Sequence, residues 1–171
     1  MKHFSPKLIL GVLLMGALSL NCQAQNVNSF FDKETTTAAE DGGNGYCICF
    51  KSKGGTNAAD NQANYKLTTH LIAGKKYMLK VTAKATSNCQ LTLHAVDTKS
   101  DNKNADGTSA DVQEFNPKSI GTTWETYNWR FTAKYPIDRL DFLFGTLDGK
   151  IYFDDVKLSD TEFGVDVIQN G

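Results

Sequence analysis

After residue 25 the sequence lacks an apolar run of the roughly 20 residues needed to cross a bilayer, so the body contains no transmembrane segment. It lacks an apolar stripe at helical spacing, which excludes a coiled coil. It also lacks a surplus of charge, with 18 Lys and Arg against 19 Asp and Glu. Nucleic-acid binding rests on clustered surplus cation, so no nucleic-acid partner is expected. No internal repeat and no domain boundary follow residue 25. The signatures of common catalysis are missing too: no G-x-S-x-G, no H-E-x-x-H and no Gly-rich phosphate loop after a strand. Only His70 and His94 follow the leader, and no pair of carboxyls is marked as the two that a glycosidase sets roughly 5–9.5 Å apart. At 11% aromatic content the chain is no disordered tail.

What is present begins with an export leader. The basic start Lys2 to Lys7 precedes an apolar run from Leu8 to Leu18, and Asn21-Cys22-Gln23-Ala24 offers a cleavage site after Ala24. Residues 1–24 are read as a signal peptide and 25–171 as one folded domain. Removing the leader takes Lys2 and Lys7 but no acid, so the net charge moves from -1 to -3. Acylation of Cys22 is the less favoured alternative, because Asn21 stands where a lipobox carries Gly or Ala. The protein is expected to be exported: periplasmic, outer-membrane-associated or secreted. Export places Cys47, Cys49 and Cys89 in an oxidising compartment, where either Cys47 or Cys49 bridges Cys89 or all three stay buried thiols. His70 and His94 are not spaced to complete a zinc site with them.

The body reads as many short strands. Tyr46–Phe50, Tyr65–Ile72, Tyr77–Ala85, Gln90–Val96, Thr126–Thr132, Arg139–Phe144 and Ile151–Leu158 carry β-branched and aromatic residues, several in strict alternation. A shorter strand is expected near Val112 to Phe115, and residues 54–64 read as loop. Strands at this spacing, with turn signals between them, predict an all-β antiparallel sandwich.

Three segments together resemble a known family. Ile72 to Ala85, with Ala-Gly-Lys-Lys-Tyr, is similar to one strand of bacterial carbohydrate-binding modules. Thr123-Trp-Glu-Thr-Tyr-Asn-Trp-Arg-Phe131 and Gly149-Lys-Ile-Tyr-Phe-Asp-Asp-Val-Lys-Leu158 resemble two others, in the same order. The combination looks like the cellulose- and xylan-binding modules of families four, nine and twenty-two. That resemblance implies a galactose-binding-like jelly roll of two antiparallel sheets, one concave. It also implies non-catalytic binding of a polysaccharide or oligosaccharide, by a monomer. A structural calcium ion is implied as well, held by Asp154 of the Asp-Asp-Val strand with Asp32 or Glu34 from the opening segment. The alternatives are a protein-interaction or structural domain of the cell envelope and, more weakly, a small glycoside hydrolase or lyase.

Sugar recognition needs aromatic faces for stacking and planar polar groups for hydroxyls. Tyr127, Trp129 and Phe131 share one strand face and are assigned to the core, which leaves Trp124 as the tryptophan to reach a ligand. On the opposite faces stand Lys80, Thr82 and Lys84, then Gln90, Thr92 and His94, then Asn128 and Arg130. If these strands are neighbours, they form one polar, basic floor. The expected ligand-binding set is therefore Trp124, Lys80, Thr82, Lys84, His94 and Arg130. The stretch Asn102–Gly107 imitates half of an EF-hand loop, but it begins with Asn and has no flanking helices, so it reads as a polar loop.

Overall fold

The computed structural model describes residues 38–41, 46–162 and 167, so the leader, Cys22 and Asp32 lie outside the described residues. The strands are β1 (Ala38–Asp41), β2 (Tyr46–Lys53), β3 (Gln62–Lys66), β4 (Lys76–Ala85), β5 (Cys89–Val96), β6 (Val112–Glu114), β7 (Lys118–Ile120), β8 (Glu125–Thr132), β9 (Arg139–Leu143) and β10 (Asp148–Asp160). A 3-10 turn, Ala58–Asp60, precedes β3. The strands form two antiparallel sheets packed face to face. Sheet B runs β1-β2-β10-β4-β8, and sheet A runs β3-β9-β5-β6 with β7 also pairing β5.

Alternation explains the packing. On β4, Tyr77, Leu79, Val81 and Ala83 point inward, and Leu91, Leu93 and Ala95 do the same on β5; all join one inner core. Phe153 of sheet B meets Phe142 of sheet A with ring centroids 5.4 Å apart, and Phe50 of β2 closes on Phe153 at 5.6 Å. Trp129 is only 4% exposed and belongs to this core, as its register with Phe131 requires. At the β6–β8 margin, Gln113 turns its amide inward. Its Nε2 donates to the Thr132 carbonyl, and its Oε1 accepts from the Lys134 N–H, which ties one sheet to the other.

The structure corrects two expectations, decides between the cysteine alternatives and breaks simple alternation at Asp154. The strand predicted over residues 65–72 lies at Gln62–Lys66 instead. Its partner β9 begins only at Arg139, just after Pro136, which has no N–H to offer a ladder. Leu71 nevertheless joins the core, and its N–H donates to the Ile137 carbonyl at 2.8 Å. The bridge from Cys47 or Cys49 to Cys89 is absent. Cys89 belongs to the inner core of sheet A, whereas Cys47 and Cys49 occupy the other face of β2, outside that core. Simple alternation would set Asp154 and Asp155 on opposite faces. A bulge between Phe153 and Asp155 instead inserts one residue, so neither points into the core while Phe153 and Val156 both do. Finally, β5 is not a neighbour of β4 or β8, and this divides the predicted floor.

The core placement of Trp129 has a direct test. Trp129→Ala should lower unfolding free energy by about 3–5 kcal/mol in urea titration, the range for deleting a large buried aromatic. A loss within about 1 kcal/mol would place this side chain at the surface instead.

Candidate functional site

Because the inner faces are filled, functional groups are confined to the two outer faces and the rims. Five of the six sequence-predicted binding residues come together on the outer face of sheet B. The β4–β8 register sets Lys80 opposite Asn128, Thr82 opposite Thr126, and Met78 opposite Arg130. The two threonine hydroxyls hydrogen-bond to each other at 3.0 Å. Trp124, half-buried at the entry to β8, meets Tyr152 of β10 edge-on, with centroids 6.4 Å apart. Lys84 places its Nζ 4.9 Å from the Trp124 ring centre and 5.2 Å from that of Tyr152, within cation–π range of both. Tyr152 was missed in the sequence, although its position between inward Ile151 and Phe153 marks it as outward.

His94 is separated from these five, on the outer face of sheet A. There a row of polar side chains crosses four strands: Asn64 on β3, Asp141 on β9, His94 on β5 and Glu114 on β6 are successive register partners. Gln62, Leu143 and Thr92 form the row on one side. Lys66, Arg139, Val96 and Val112 form the row on the other. The face is recessed, since Asp141 is 5% exposed and Leu143 4% exposed although both point away from the core. Sequence reading missed Asn64 and Gln62 because Asn61-Gln-Ala-Asn64 looks like loop. It passed over Asp141, although Arg139 and Asp141 at i and i+2 within an apolar strand signal an outward charged pair.

Burial and charge work against each other in this row. Burial pushes the Asp141 carboxyl above its ordinary value, and the Arg139 guanidinium only partly offsets it. That guanidinium binds both carboxylate oxygens, Nε to Oδ1 at 2.7 Å and Nη2 to Oδ2 at 2.9 Å, with His94 a weaker cationic influence and Asp138 an opposing one. The fork fixes both side chains in one plane. His94 Nε2 lies 3.9 Å from Glu114 Oε1. Asn64 Oδ1 is buried with no hydrogen-bond partner among the described residues. Such an acceptor is completed by a water or by a ligand donor.

The rims carry less. The loop of residues 97–111 leaves the face at Val96 and returns at Val112. Thr98 donates to the Asp138 carboxylate through its N–H at 2.8 Å and its hydroxyl at 2.6 Å, while Ser100 and Asn102 donate to Asp111. The half-EF-hand stretch is thus folded on its own hydrogen bonds. At the opposite end, an open recess of about 510 Å³ is lined by Asn88, Cys89, Gln90, Ser119 and Glu125 among others. Burial pushes the Cys89 thiol up, away from the thiolate a nucleophile needs. Asp154 is half-buried; burial first and the neighbouring Asp155 second push its carboxyl up. Its oxygens are hard donors of the type calcium takes. No group of three metal-binding side chains occurs among the described residues, and Asp32 lies outside them.

The profile of the family described as a carbohydrate binding domain matches residues 21–149. Among solved structures, the apo carbohydrate-binding module of PbXyn10C is 28% identical, with a TM-score of 0.59, covering 85% of this chain and 80% of that one. The apo CBM1 of BiXyn10A is 23% identical at TM-score 0.52, covering 74% and 81%. The second N-terminal cellulose-binding domain of Cellulomonas fimi β-1,4-glucanase C is 16% identical at TM-score 0.52, covering 76% and 84%, and shares the fold. No curated protein matches the chain.

The raised Asp141 carboxyl makes stability depend on pH. Its folded value lies above its unfolded one, so the folded state takes up the proton first. The burial cost is therefore relieved as pH falls from that raised value toward the ordinary 3.8. Urea unfolding between about pH 7 and pH 4 should show wild type gaining on Asp141→Asn as the solution is acidified. Parallel curves would mean that Asp141 titrates as an exposed carboxyl.

Proposed function

The chain belongs to the carbohydrate binding domain family, and on that premise we propose that it holds a neutral polysaccharide along the outer face of sheet A, without chemistry. The observation that carries this reading is the recessed row Asn64–Asp141–His94–Glu114 with its open acceptor at Asn64 Oδ1. Planar amide, carboxylate, guanidinium and imidazole groups can each engage a pair of vicinal hydroxyls, and the Arg139–Asp141 fork keeps two of them from moving. Leu143 and Val96, outward yet buried, back the polar row with apolar packing. His94 is in this reading a ligand contact. Asp141 positions Arg139 and accepts hydroxyl donors.

Two further features complete the proposal. The leader at residues 1–24 supports export, which is where a polysaccharide is met. Among the described residues no helix is long and apolar enough to cross a membrane. Calcium held by Asp154 together with Asp32 would supply a structural tie between the opening segment and β10. Chelation should then lower the melting temperature of wild type, and Asp154→Ala should remove that sensitivity. The stabilisation expected with free ion a hundredfold above its dissociation constant is about 2.7 kcal/mol. Identical melting curves with and without chelator would reject the ion.

The binding face is tested by calorimetric titration with xylan and β-glucan oligosaccharides. Asn64→Ala and His94→Ala should each weaken binding by about tenfold, the worth of one good hydrogen bond in a recess, with melting temperatures near wild type. Undiminished affinity in both variants would move the site off this face.

A further inference from the structure

We propose that the outer face of sheet B is a second, separate binding surface, and that it takes an anionic polysaccharide carrying uronate carboxylates or sulfates. Its β4–β8 half presents Lys76, Lys80 and Lys84 from one strand and Arg130 from the next, with no outward carboxylate on either strand. On β2, β10, β4 and β8 the outward acids of this face are Asp148, Asp154 and Asp155, all of β10. Within a chain of formal net charge -1, this half-face is a local concentration of cation. Among the described residues no carboxylate lies within ion-pair distance of Lys80, Lys84 or Arg130.

Spacing selects a polymer. Lys76, Lys80 and Lys84 recur every fourth residue, so their Cα atoms stand about 13 Å apart along an extended strand. A ladder of that length exceeds one sugar ring and suits a chain with charge on successive units.

The aromatic pair identifies the polymer as a glycan. Trp124 and Tyr152 stand at the Lys84 end of the ladder, with the Lys84 ammonium near both rings. A sugar stacked on Trp124 would hold its ring carboxylate or sulfate beside Lys84. Single-stranded nucleic acid is instead held by stacking platforms repeated along a basic groove, and the ladder from Lys76 to Lys80 has no outward aromatic on β4 or β8.

The test is affinity electrophoresis and calorimetry of the full chain with polygalacturonate at low salt, in chelator so that calcium bridging through Asp154 plays no part. Polygalacturonate should bind, and raising the salt should weaken it. The double variant Lys80→Gln/Lys84→Gln should lose about tenfold in affinity, the combined worth of two surface charge contacts. Trp124→Ala should also weaken it, while xylan binding through sheet A stays as in wild type. Three results would overturn the proposal: no binding of polygalacturonate, binding unchanged in the double variant, or polyglutamate or single-stranded DNA bound as tightly as polygalacturonate. Because xylan and polygalacturonate are read separately, failure here leaves the sheet A reading standing, and the converse holds.

Discussion

Contact between the aromatic rings of Phe50, Phe153 and Phe142 joins the two sheets, and most other features of the molecule follow from it. Phe153 and Phe142 come from opposite sheets, and Phe50 braces Phe153 within sheet B. These side chains are inward only because strand residues alternate, so each of their immediate neighbours in sequence is directed outward. The bulge after Phe153 keeps that rule intact. It absorbs one residue, so that Val156 and Leu158 return to the core while two consecutive aspartates stay off it. Among the described residues the inner faces are occupied by core side chains, and the polar groups stand on the outer faces.

Those two faces differ in kind. The outer face of sheet A is recessed and holds an Arg–Asp fork, with a histidine near a glutamate and a buried amide oxygen in the same row. The two side chains of the fork have already lost the entropy that binding would otherwise cost. The β4–β8 half of sheet B carries exposed Lys76 and Lys80 on flexible stems, with half-buried Lys84 and one aromatic pair at its end. Flexible, like-charged groups suit long-range attraction of a charged chain more than discrimination among neutral sugars.

Much of this was legible in the sequence, and the missing parts share one cause. Period-two alternation is local, so β4, β5, β8 and β10 and the inward assignment of Trp129 and Phe131 could be read directly. The sheet to which each strand belongs is a long-range property. Local pattern placed His94 outward but could not show that β5 pairs with β9 rather than with β4, so one expected floor became two faces. The same limit defeated the pairing of Cys89 with Cys47 or Cys49, which depends on which faces oppose each other. The strands β1 and β7 escaped notice because three or four residues at a sheet edge need no apolar pattern. Residues 62–64 were read as loop because their polar side chains belong to the recess. The Asp154 bulge breaks alternation within a single residue. Both of these irregularities fall where the candidate binding and metal groups lie.

The central claim is that two chemically distinct glycan surfaces occupy opposite faces of one sandwich. Amide chemical-shift mapping on isotopically labelled protein tests it most directly, because each face reports through its own strands. Neutral xylo- or gluco-oligosaccharides should shift amides of residues 62–66, 90–96 and 139–143 and leave 76–84 and 126–130 in place, and oligogalacturonate should do the reverse. Shifts from both ligands on one and the same set of strands would contradict the account.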